Sequence, residues 1–103
     1  MSLADEFRQA QLDVCAELRR NTPYNPSRFE QGIRDATGDQ AVAFTRRLIV
    51  NGGLGATGFW RMRKLGRQHQ TIEAQVVDPH WAELFDQATI DAAQWRLNLP
   101  DQK

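Results

Sequence analysis

The sequence predicts an all-α fold, a single small domain of five to seven short helices. Three observations carry that expectation. Apolar residues recur at spacings of three and four along most of the chain, which places them on one face of a helix. Cap residues, prolines and glycines bracket those periodic segments. Only two short apolar stretches, 48–50 and 74–77, have the composition of strands.

A chain of 103 residues has room for one modest core and not two. Its 41% hydrophobic and 25% charged residues are those of a globular protein and exclude intrinsic disorder.

Residues 3–20 form the first expected helix. Leu3, Phe7, Ala10, Val14 and Leu18 make its stripe, early acids and late Arg19-Arg20 suit its dipole, and Pro23 and Pro26 end it. Asn25 is placed as the cap of a second helix, with Pro26 at its first position and Phe29, Ile33 and Ala36 facing inward. Gly38 is assigned to a left-handed stop and Asp39 to the next cap. Ala41, Val42, Thr45, Leu48 and Ile49 then fall on one stripe, so 48–50 reads as the end of a helix stopped by Gly52-Gly53.

A glycine-rich loop is expected over 51–56, with Thr57 capping a fourth helix that carries Phe59, Met62 and Leu65 and ends at Gly66. Thr71 caps a fifth bearing Ile72 and Val76. Asp78-Pro79 opens a short sixth turn with Trp81, Leu84 and Phe85. The last helix spans about 87–98, with Ile90, Ala93 and Leu97 inward and Trp95 on a flank, and 99–103 is a frayed tail.

Net charge is zero, so bulk charge selects no partner, yet its distribution is uneven. Residues 46–69 hold Arg46, Arg47, Arg61, Arg63, Lys64 and Arg67 and no acid. The single cysteine, Cys15, excludes an internal disulfide and suits a reducing compartment. No signal-like leader or long apolar run occurs, so a cytoplasmic location is expected.

Residues 48–78 imitate a dinucleotide-binding fingerprint. Leu48-Ile49-Val50 precedes Gly53-x-Gly55-x-x-Gly58, and Asp78 follows twenty residues later. Such a site needs a strand–turn–helix unit held by a parallel sheet, and the preceding chain has helical period throughout. The glycines therefore read as a local break between helices, and no cofactor is expected. His69 and His80 lack metal-ligand spacing, no nucleophile elbow is present, and Cys15 reads as an inert buried thiol.

A second pattern runs from 58 to 97: Gly58-Phe59, Leu65-Gly66-Arg67, Thr71-Ile72-Glu73-Ala74, Val77-Asp78-Pro79, Trp81, Leu84-Phe85 and Arg96-Leu97. It resembles the signature of a family of short uncharacterised bacterial helical proteins, over about 40 of the residues. The resemblance implies a helical module with no activity attached and transfers no functional residue. Gln68-His69-Gln70 stands where that pattern has Leu-Asp-Leu.

The expected function is that of a non-enzymatic bacterial protein–protein interaction module, an accessory subunit or inhibitor. Its surface would centre on 57–69, with Trp60, Arg61, Arg63, Lys64 and Arg67 meeting the partner, because Trp and Arg are typical interface anchors. A nucleic-acid-binding protein using the cations of 46–67 is the first alternative. A nucleotide-binding fragment using the 53–58 glycines is the second. A protein partner is preferred to nucleic acid, no membrane is involved, and self-association is left open.

Overall fold

The computed structural model describes residues 2–100, and of residues 53–57 the backbone alone. Among these residues every regular element is helical and none is a strand. Six α-helices follow one another: α1 (Leu3–Asn21), α2 (Ser27–Arg34), α3 (Gly38–Asn51), α4 (Gly53–Lys64), α5 (Ile72–Val76) and α6 (Gln87–Leu97). Two 3-10 turns, Gln68–Gln70 and Pro79–Leu84, flank α5. The expected all-α domain is what the chain forms.

Most helix starts are fixed by a local hydroxyl or carboxylate that accepts from an otherwise unpaired backbone N–H. Ser2 caps α1, Thr71 caps α5 through the N–H of Ala74, and Asp86 caps α6 through the N–H of Thr89. Asp78 accepts from the N–H of His80, and Pro79 occupies the first position of its turn, as its ring requires.

Several expected boundaries are corrected. Pro26, and not Asn25, stands before α2, which has no side-chain cap. Thr37 replaces Asp39 as the cap of α3, in a reciprocal pair with Gln40. Gly38 is therefore the first helical residue and not a left-handed stop. A Cβ there would lie 2.7 Å from the Asp5 nitrogen and 2.8 Å from the Ala4 carbonyl carbon, so only glycine lets α1 and α3 approach so closely.

The expected loop over 51–56 is also replaced. Gly52 alone, left-handed at φ 69°, separates α3 from α4. Thr57 thus lies within α4, and its side chain lies outside the described residues, as do 101–103 of the expected frayed tail. With 48–50 inside α3 and Gly53, Gly55 and Gly58 inside α4, the strand that a dinucleotide site would need is missing from this segment.

One buried cluster comprises Phe7, Ile49, Val76, Trp81, Phe85 and Ala93. Phe7 is its centre. Its ring meets Trp81 and Phe85 edge-on, each at a centroid separation of 5.4 Å, a favourable geometry for aromatic quadrupoles. The buried face of α1 is Ala4, Phe7, Gln11, Cys15 and Leu18, so Gln11 and Cys15 take inward positions expected for Ala10 and Val14.

Candidate functional site

The second half of α1 turns away from that cluster toward α2 and α4, and here the packing opens. A cavity of about 530 Å³ lies between them. Its walls are mainly apolar: Val14, Cys15 and Leu18 from α1, Phe44 and Leu48 from α3, and Phe59 and Met62 from α4. Tyr24 and Pro26, in the turn after α1, border it together with Phe29 of α2. Arg28 and Arg61 are exposed lining residues, whereas Gln11, Thr71 and Glu73 are fully buried ones.

Two ionisable groups on the wall are disfavoured in their charged forms. Burial raises the Cys15 thiol to about 11, against weaker opposing pulls from Arg19 and Arg34. Burial also raises the Tyr24 phenol, helped by Cys15 and opposed by Arg61, whose guanidinium lies 5.7 Å from the centre of the tyrosine ring. A thiol that stays protonated is a poor nucleophile. The sequence reading of Cys15 as a buried thiol agrees with its position.

A buried charge pair beside the cavity is the unusual part. Glu73, on α5, has no solvent exposure, and its Oε2 accepts from Arg96 Nη1 of α6 at 2.5 Å. Arg96 Nη2 donates to the carbonyl of Ile49, in the last turn of α3, at 3.0 Å. One guanidinium thus ties the ends of α3 and α5 to α6. Glu73 Oε1 accepts no hydrogen bond among the described residues. Burial pushes this carboxyl's pKa up, while Arg96 and the nearby N–H of its own backbone pull it down.

The residues expected to meet a partner are divided among several tasks. Arg67 Nη1 pairs with Glu17 Oε1 at 2.7 Å and also reaches Gln70 Oε1 at 3.2 Å. Arg63 Nη2 donates to the Leu97 carbonyl at 3.2 Å, and its guanidinium lies over the rings of Phe59 and Trp60. Trp60 is half-buried, edge-on to Phe59 at 5.2 Å. Arg61 and Lys64 are exposed. Of the cations further upstream, Arg46 pairs with Asp86 at 3.1 Å. Arg61 is the member of the expected set that lines the cavity.

Among the described residues there is no cluster of three metal-ligating side chains, and no helix is long and apolar enough to cross a membrane. His69 and His80 are both exposed. Glu73, Arg96 and Gln11 were missed by sequence reasoning. The available signal was Glu73 in the first turn of a helix whose neighbours Ile72 and Val76 face inward, and Arg96 beside Ala93 at a spacing of three. Compared with protein-family models, curated proteins and solved structures, the chain matches none.

Proposed function

We propose that this chain is a non-enzymatic binding module whose ligand is a small apolar molecule held between α1, α2 and α4. The observation that carries the reading is the cavity itself. At about 530 Å³ it falls within the range of roughly 300–1,000 Å³ common for small-molecule sites, with an apolar wall and few polar groups. Support for a non-enzymatic role comes from the protonated Cys15 thiol and from histidines that do not line the cavity.

Titration of the intact ¹⁵N-labelled protein with benzofuran, followed by amide shifts, tests the reading. Saturable shifts at Val14, Phe44 and Phe59 are expected, and Val14→Phe, which narrows the space, should weaken the binding without lowering Tm. Shifts that fail to saturate by about 10 mM, weaker than roughly 3 kcal/mol of binding, or an affinity unchanged by Val14→Phe, would sink it.

A second reading keeps a protein partner, and one observation favours it. Arg61 and Lys64 remain exposed on a stretch without acids, next to the half-buried Trp60. An acidic partner would complement that face of α4. Nucleic acid is less well supported, because Arg46 and Arg67 are already neutralised by Asp86 and Glu17, which leaves fewer cations to displace counterions from phosphates.

A further inference from the structure

We infer that the cavity's occupant is an amphipathic anion, a single-chain alkyl carboxylate whose tail lies against α1, α3 and α4 and whose head meets Arg28 and Arg61 at the mouth. The inference rests on the cavity being a ligand site. It adds a charged head group and a direction to the apolar body.

Exposure locates the mouth. Among the described lining residues the exposed ones are Asn25, Ser27, Arg28 and Arg61, whereas Cys15, Leu18, Phe59 and Met62 are buried. Polar surface is therefore gathered where the start of α2 and Arg61 of α4 border the cavity, and the apolar wall lies behind it. An occupant with an apolar tail and a water-facing head matches both parts, just as lysine and arginine bury an apolar stem and keep their charged end in water.

The sign of the head group follows from the charges at that rim. Both exposed charges of the described lining are positive. Among the described residues neither Arg28 nor Arg61 pairs with a carboxylate, whereas Arg19 and Arg34 are both taken by Glu30. Glu73 is fully buried and balanced by Arg96, so it sets no negative charge at the mouth. Arg61 is held at the rim by Tyr24, whose ring centre lies 5.7 Å from the guanidinium, a cation–π distance. Guanidinium groups offer paired N–H donors that match the two oxygens of a carboxylate. A cationic head would meet two like charges, and a neutral one would leave both to solvent. The head stays in water, so its charge carries no burial cost. Exposed ion pairs are individually weak, and the expected preference is severalfold.

Octanoate, 1-octanol and octylammonium share a tail and differ in the charge of the head. Calorimetric titration of the intact protein at neutral pH and low salt should give a Kd for octanoate at least about threefold below that for 1-octanol, with octylammonium weakest. Each further methylene should tighten carboxylate binding by up to about fourfold, the factor that about 0.8 kcal/mol represents, so decanoate should bind at least about fivefold more tightly than octanoate. Amide shifts should fall at Val14 and Phe59. In Arg28→Glu/Arg61→Glu, a change at two exposed positions that should barely move stability, octylammonium should become the tightest of the three. Arg47→Glu, at an exposed cation outside the lining, should keep the native order.

Equal affinities for octanoate and 1-octanol, or tighter binding of 1-octanol, would overturn the anionic head group and leave the apolar-cavity reading standing. Decanoate no tighter than octanoate, or binding of benzofuran alone, would have the same meaning. Binding of none of these probes, benzofuran included, would overturn both. A native order that persists in folded Arg28→Glu/Arg61→Glu, or that is lost in Arg47→Glu, would overturn the role of the two arginines. Should the double variant fail to fold, the native-protein order and the chain-length series still decide.

Discussion

Two ends of helix α1 face different interiors. Toward its N-terminus Phe7 is clasped by Trp81 and Phe85 with no exposed surface, and Ile49, Val76 and Ala93 complete the cluster. Toward its C-terminus Val14, Cys15 and Leu18 border a cavity of about 530 Å³. The same helix therefore serves as a packed strut at one end and as the wall of a vessel at the other. The difference lies in what faces each end. Three aromatic rings fill the first, whereas side chains from α2, α3 and α4 border the second without filling it. Dense packing and open space thus fall to separate regions of one short chain.

The contrast is broken most severely at Phe7. Phe7→Ala should destabilise the protein by about 3–5 kcal/mol, the cost of a large buried side chain plus the hole it leaves. Val14→Ala, on the cavity wall, should cost about 1 kcal/mol or less, because little close packing is lost there. Urea unfolding of the two variants measures both. Comparable losses would mean that the two ends of α1 do not differ in packing.

The buried Glu73–Arg96 pair comes next in size. Glu73→Leu leaves Arg96 buried without its carboxylate and should cost about 3 kcal/mol, whereas Glu73→Leu combined with Arg96→Met should recover most of it. A double-mutant cycle reads the coupling. If the double variant is as unstable as the single one, the carboxylate serves the fold in some way beyond balancing Arg96.

The smallest effect separates the two uses of the basic segment. Three hydrogen-bond donors to Glu17, from Gln70, Arg67 and Asn21, hold its carboxyl down at about 2. An unfolded glutamate titrates near 4.5, so the contribution of this site is complete above that value and is lost as pH falls through 2. Arg67→Glu should lower Tm at neutral pH and flatten this part of the stability profile. Arg61→Glu with Lys64→Glu should leave Tm and the profile unchanged and weaken any complex with an acidic partner. A fall in Tm for the Arg61/Lys64 variant would make those cations structural as well and would remove the second functional reading.

How much of this was legible in the sequence follows the distance over which each feature is decided. The caps of α5 and α6 and the stop at Gly66 depend on residues three or four apart, and the sequence displays them directly. Thr37-x-x-Gln40 also carries a local capping signal that Asp39 lacks, while the place of Gly38 in the fold is a long-range matter. The backbone of α1 at Ala4 and Asp5 crowds Gly38 from more than thirty positions away, so the need for glycine there is not visible locally. Glu73 and Arg96 lie 23 residues apart. Each alone reads as a solvated charge, and only their mutual approach permits burial. The cavity is less legible still, since five α-helices and two turns must come together to border it.

The joint at Gly52 bears on which insertions and deletions the chain tolerates. Two helices of 14 and 12 residues meet there through one residue, with no intervening loop to absorb a change in length. Each residue advances a helix by about 100° around its axis. One residue added or lost at this corner would rotate Phe59 and Met62 out of the cavity wall and carry outward-facing side chains toward Val14 and Leu18. The turn at Gly66 and Arg67 has more room, because Gly66 lies in open space. Length variants that keep the cavity should therefore be confined to that turn, and the corner between α3 and α4 should hold its length.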